Sequence, residues 1–193
     1  MDAPKILAIK DDDNQKAKYH HPHLPDVGVG VKGKGSCLLL LSPRQTGKST
    51  VASNLFLNPA FFGEKANGEK FFDEIYVISP TINLDRSSRF LKKRCVCFDT
   101  YHPDIKLLAV SSQKFRGALN PILRANITDL IVGSPFPNTR DLSAVAEEFG
   151  DQFGGMDKWL ELYKKATPKK YDFAYMKLTN PPQMFHNFEE QIY

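Results

Sequence analysis

The stretch Ser42-Pro43-Arg44-Gln45-Thr46-Gly47-Lys48-Ser49-Thr50 decides how this chain is read. It follows a continuously apolar run, Ser36 to Leu41, and leads straight into a helical pattern from Lys48 to Leu57. Apart from Ser42 in place of the first glycine, it matches G-x-x-x-x-G-K-[ST], a loop that wraps phosphate groups between a strand and a helix. Each position has a physical reason. Such a loop points successive backbone N–H groups inward, and Gly47 permits a close backbone approach that a side chain would block. Lys48 sets a positive charge against the β and γ phosphates, and the hydroxyl of Ser49 is placed to coordinate magnesium. The start of the following helix adds the positive end of its dipole. The nine residues Ser42 to Thr50 are therefore expected to bind ATP with Mg2+, with Lys48 acting in catalysis.

Working outward, 193 residues suffice for one domain with a hydrophobic core and are few for two. The sequence predicts a mobile arm over residues 1–26 and one nucleotide-binding domain over 27–193. Apolar content of 41% and charged content of 25% exclude a fibrous repeat and wholesale disorder. The longest apolar run, Cys37 to Leu41, falls far short of the roughly 20 residues that cross a bilayer, and no membrane span or signal peptide is expected. A net charge of +4 permits a nucleic-acid partner without arguing for one. Three cysteines, Cys37, Cys95 and Cys97, read as free thiols of a reducing compartment. Zinc at Cys95 and Cys97 would need two further ligands, and His20, His21 and His23 lie far away in sequence.

Short apolar runs alternate with helical patterns along the chain. Strands are predicted at Glu74 to Ile78, Cys95 to Phe98, Leu107 to Ser111, Ile127 to Val132 and Tyr171 to Leu178. Helices are predicted at Asn83 to Lys93, Asp141 to Phe149 and Met156 to Lys165, with a short amphipathic one at Phe185 to Tyr193. Val27 to Lys34 is glycine-rich and predicts a turn or hairpin. This alternation predicts an α/β P-loop NTPase fold, a mostly parallel sheet with helices on both faces.

Hydrolysis also needs an acid at the end of a neighbouring strand, to hold the magnesium shell and orient water. Asp99, after Val96-Cys97-Phe98, fits that place as a catalytic residue and metal ligand; equally, it caps the next turn. Asp73 and Glu74 precede their strand and so face the wrong end of the sheet. Gln113 follows the fourth predicted strand, where an amide senses the γ-phosphate or positions water, or else starts a helix facing solvent.

The loop and its flanks, Asn58-Pro59, Phe71 to Thr81, Ser112-Gln113-Lys114-Phe115 and Asn120 to Asn126, together resemble the poxvirus-type genome-packaging ATPases of large DNA viruses, in the FtsK/HerA group of P-loop motors. The similarity runs from about Pro22 onward. It implies a ring-forming homo-oligomer that couples ATP hydrolysis to translocation of double-stranded DNA into a capsid, with capsid proteins as partners and a cytoplasmic assembly site or virion as location. It also implies a sensor role for Gln113 and an arginine supplied to a neighbouring subunit. Arg124 is the candidate, with Arg116 and Arg140 as alternatives, and a surface pairing of Arg124 with a carboxylate stands beside that role. The family's apolar strand ending in two consecutive acids has no counterpart here, since Thr100 follows Asp99. Three readings thus stand side by side: a DNA translocase, a catalytically impaired nucleotide-binding subunit, and a small-molecule kinase, the last lacking an arginine-rich lid.

Overall fold

A computed structural model describes residues 37–43, 45–72, 74–79, 82–83, 90–100, 124–136 and 139–193, with residues 89 and 109–112 as backbone only. The arm over 1–26, the glycine-rich 27–34, Arg44, Gln113 and Arg116 lie outside the described residues. The elements in chain order are β1 (Leu38–Leu41), α1 (Lys48–Leu57), β2 (Tyr76–Ile78), α2 (Arg89–Arg94), β3 (Val96–Phe98), β4 (Ala109–Ser112), β5 (Asp129–Gly133), α3 (Thr139–Phe149), a 3-10 turn (Gly150–Phe153), α4 (Met156–Ala166), β6 (Phe173–Lys177), β7 (Gln183–His186) and β8 (Glu190–Gln191). They divide into two compact units. One holds the described residues of 49–100, the other those of 37–48 and 109–193.

The larger unit carries a six-stranded sheet in the order β4-β1-β5-β6-β7-β8. β4, β1 and β5 are parallel, whereas β6, β7 and β8 each run antiparallel to their neighbour. β2 and β3 form a separate two-stranded parallel sheet in the smaller unit. The expected mostly parallel sheet with helices on both faces is therefore corrected to a mixed sheet plus a small parallel one. The cause lies in the connections. Between β5 and β6 stand two helices, which carry the chain away and back, so that β6 starts where β5 ended, Gly133 facing Phe173. β6 to β8 are joined by short links with no crossover helix, and such links can only join antiparallel strands.

The predicted C-terminal helix at Phe185 to Tyr193 is likewise corrected to the end of β7, a turn and β8. Asn187 takes the turn with φ 54, a left-handed conformation that asparagine tolerates. Met184 and Phe185 point to opposite faces and are both buried. A strand buried on both sides loses its alternation and imitates a buried helix.

The core forms because β1, β5 and β6 are buried on both faces. Leu39, Leu41, Leu130, Val132, Ala174, Met176 and Met184 pack with Val145, Phe149, Trp159 and Leu162 of the two helices. On the other face Tyr175 stacks on Phe185, and Phe188 meets both Phe173 and Tyr175 edge-on. At the N-terminal edge of β5, buried Asp129 accepts hydrogen bonds from the Tyr175 hydroxyl (2.8 Å) and the Thr128 hydroxyl (2.7 Å). The Thr128 oxygen in turn accepts the Cys37 N–H at 2.8 Å, which ties the entry of β1 to that of β5.

In the smaller unit, α1 ends in a turn lined by Phe56, Phe62, Phe71 and Phe72, whose rings contact one another. All three cysteines are free. Burial pushes the thiols of Cys37 and Cys97 up and that of Cys95 up to about 11, which disfavours the reactive thiolate. No helix among the described residues is long and apolar enough to cross a membrane.

Candidate functional site

β1 delivers the loop. Its four leucines are buried and bonded on both sides, to β4 and to β5, so the strand end at Leu41 is held by two parallel ladders. Leu41 pairs with Ser112 on one side and Val132 on the other, which puts the C-terminal ends of all three strands along one edge. In open sheets of this kind ligands bind outside the carboxyl ends of the strands. The loop from Ser42 to Gly47 starts on that edge, and α1 begins at Lys48.

The loop is held by its own side chains. The Ser42 and Thr46 hydroxyls hydrogen-bond to each other, and Thr46 also donates to the Pro43 carbonyl at 2.8 Å. The Lys48 ammonium donates to the carbonyls of Ser42 and Pro43, so its charge sits across the loop. Burial there lowers its pKa below the ordinary lysine value. Gln45 and Gly47 both have left-handed backbones, at φ 59 and φ 91. A left-handed residue beside a right-handed one turns neighbouring N–H groups to the same side, the arrangement of backbone anion nests. A Cβ on Gly47 would meet nothing within 4 Å, so glycine is needed there for its φ and not for packing.

Ser42, which replaces a glycine of the motif, is buried, and its place is made by a glycine elsewhere. A Cβ on Gly133, the last residue of β5, would lie 2.4 Å from the Ser42 Oγ and 2.9 Å from its Cβ. The Gly133 carbonyl accepts the Tyr163 hydroxyl at 3.0 Å, which connects the loop's support to α4. Sequence reasoning missed Gly133. The available signal was a glycine closing an apolar strand, which marks a close backbone approach. Gly133→Ala is expected to cost about 1 to 3 kcal/mol by overpacking. Adding Ser42→Gly should return most of it, and denaturant unfolding of the single and double variants measures both.

Of the other predicted residues, Gln113 lies outside the described residues. Asp99 follows β3, whose only described partner is β2, and is exposed; the strands bonded to β1 are β4 and β5. Arg124 forms an ion pair with Glu148 at 3.4 Å, with its side chain 16% exposed. Arg140 lies exposed in the first turn of α3. Ser49 and Thr50 continue α1, and the Thr50 carbonyl accepts the Asn54 side-chain amide at 2.9 Å. The strands flanking β1 end in Ser112 and in Gly133 and Ser134, none of them acidic. Among the described residues no three His, Cys, Asp or Glu side chains are placed to hold a metal ion.

In charge and backbone this loop suits a triphosphate, with a cationic ammonium and two left-handed backbone positions. For magnesium the fit is narrower. That ion binds through water, substrate phosphates and one or two protein oxygens, and the hydroxyl of Ser49, next to Lys48 in the chain, would be one of these. No family model, no curated protein and no solved structure matches the chain.

Proposed function

We propose that this chain binds ATP with magnesium through Ser42, Pro43, Arg44, Gln45, Thr46, Gly47, Lys48, Ser49 and Thr50. The observation that carries the reading is the loop itself. It leaves a buried parallel strand at its carboxyl end, turns through two left-handed residues and sets the Lys48 ammonium across its mouth. Lys48 stabilises the negative charge of the transferred phosphoryl group, and Ser49 supplies a metal oxygen. By its resemblance the chain is a DNA-packaging motor ATPase, a homo-oligomer that couples hydrolysis to movement of double-stranded DNA into a capsid. In that setting Gln113 senses the γ-phosphate, and Arg124 leaves Glu148 to reach a neighbouring subunit.

A second reading has its own support. Among the described residues the strands on either side of β1 end without an acid, and in this reading the loop is without a base there to orient the attacking water. The chain is then a nucleotide-binding subunit of low turnover. Losing one general base lowers turnover at least about a hundredfold below that of a motor ATPase, while binding survives. Single-turnover hydrolysis with and without double-stranded DNA, beside a Lys48→Ala control, separates the two. A motor-like rate stimulated by DNA upholds translocation and sinks the impaired reading. If Asp99→Asn then abolishes the rate, Asp99 is the acid.

A further inference from the structure

The loop accounts for phosphates, yet a nucleotide also presents a sugar and a base, and the same sheet edge holds groups suited to both. We propose that Tyr171, Asp172, His186 and Asn187 form a nucleoside subsite beside the phosphate loop, with Tyr171 stacking on the base and Asp172 accepting hydrogen bonds from the ribose hydroxyls. This inference rests on the phosphate-loop reading and extends it to the rest of the ligand.

Register places these residues. Leu41 faces Val132, Gly133 faces Phe173, and Ala174 faces His186, so the exit of β1, the exit of β5, the entry of β6 and the exit of β7 share one edge. The connection is direct as well. Ser42 abuts Gly133; the next residue, Ser134, donates its N–H to the Asp172 carbonyl at 2.9 Å and accepts the Tyr171 N–H at 3.4 Å. From β1 to β6 is two inter-strand spacings, about 10 Å. That is a reach on the scale of a ribose and base extending from a bound phosphate chain.

The chemistry differs along this edge. Tyr171 is 57% exposed and holds φ 75, a backbone conformation that tyrosine rarely adopts. Strain of this kind persists where the surroundings impose it and is found at ligand sites. The Lys170 ammonium lies over its ring, 4.9 Å from the centroid, where a base would displace it while Lys169 and Lys170 stay near to attract an anionic ligand.

Asp172 is fixed: its Oδ2 accepts the Lys169 N–H at 2.8 Å and lies 3.5 Å from the His186 Nε2. Asn187 is fixed too, since its Oδ1 accepts the Phe173 N–H at 3.1 Å, leaving its Nδ2 3.1 Å from the same His186 nitrogen. A carboxylate repels phosphate and accepts from hydroxyls, so this end of the edge selects the sugar and not the triphosphate. An acidic side chain holding ribose hydroxyls is the arrangement that dinucleotide-binding folds use.

The test compares magnesium-bound ATP with magnesium-bound inorganic tripolyphosphate by calorimetry on the full chain. Tyr171→Ala should weaken ATP about ten-fold, the size of one lost base–aromatic stack, and leave tripolyphosphate unchanged, while Tyr171→Phe keeps ATP affinity. Asp172→Asn should narrow the preference for ATP over its 2′-deoxy form. If Tyr171→Ala leaves ATP affinity intact while Lys48→Ala weakens both ligands, the subsite is wrong and the loop reading stands. Equal weakening of both ligands by Tyr171→Ala also overturns the subsite, since it marks a disturbed loop. If Lys48→Ala weakens neither ligand, the loop reading falls and takes the subsite with it.

Discussion

Replacing Lys48 with alanine is expected to remove most of the affinity for ATP. A charge-assisted phosphate contact in a partly desolvated loop contributes about 2 to 4 kcal/mol, a loss of roughly thirty-fold to a thousand-fold. The geometry supports the upper part of that range, because the ammonium already lies across the loop, held by the Ser42 and Pro43 carbonyls. On binding it exchanges carbonyl dipoles for full phosphate charges without having to be brought in from solvent. Equal affinity of wild type and variant in calorimetric titration would overturn the assignment.

The same lysine gives a pH signature. Burial lowers its pKa, so the ammonium is lost at a lower pH than an ordinary lysine would lose it. Phosphate binding needs the charged form. Affinity is therefore expected to fall as pH rises through the lowered pKa, at a lower pH than an ordinary lysine would give. Lys48→Arg, whose charge does not titrate in this range, should flatten that fall even if its longer fork weakens binding at neutral pH. Titrations across the alkaline range compare the two slopes.

The second large effect is on stability. Trp159 is fully buried, stacked on Tyr163 with ring centroids 5.6 Å apart and planes 3° from parallel, and its indole N–H donates to the Met176 sulfur at 3.3 Å. Trp159→Ala should cost about 3 to 5 kcal/mol, because the lost transfer energy is joined by a cavity that close-packed neighbours fill only in part. The effect should also reach the loop. Tyr163 loses its stacking partner, and its hydroxyl is what holds the Gly133 carbonyl under Ser42. Weaker ATP binding should therefore accompany lower stability in Trp159→Ala, whereas Trp159→Phe should keep more of both. Trp159 is the single tryptophan, so unfolding is followed by circular dichroism and not by its fluorescence. A loss below about 1 kcal/mol would contradict this account of the core.

The sequence by itself determined what short-range physics specifies. Four consecutive leucines before a loop with Gly47 and Lys48 read as a buried strand leading into a turn, and the structure has β1 at Leu38–Leu41 and α1 from Lys48 to Leu57 as the pattern predicts. The period of α3 and α4 was legible for the same reason, since Val145, Phe149, Trp159 and Leu162 recur on helical faces that meet the core. Strand direction was not legible. Whether β6 runs with β5 or against it depends on how many times the intervening chain crosses the sheet, which no local pattern records. The alternation of strands and helices that suggests a parallel sheet serves an antiparallel return equally well once two helices occupy one connection.

Nor could a strand buried on both faces, as at Met184 and Phe185, be told from a helix by its apolar residues. Which strand ends meet was decided only by tertiary pairing. Asp99 ends a strand as the sequence says, but that strand pairs with β2, and the neighbours of β1 are β4 and β5. Gly133 and Tyr171 enter the argument only once register brings the exits of β1 and β5 and the entry of β6 to one edge, because contacts between residues so far apart in the chain leave no period or motif in the sequence.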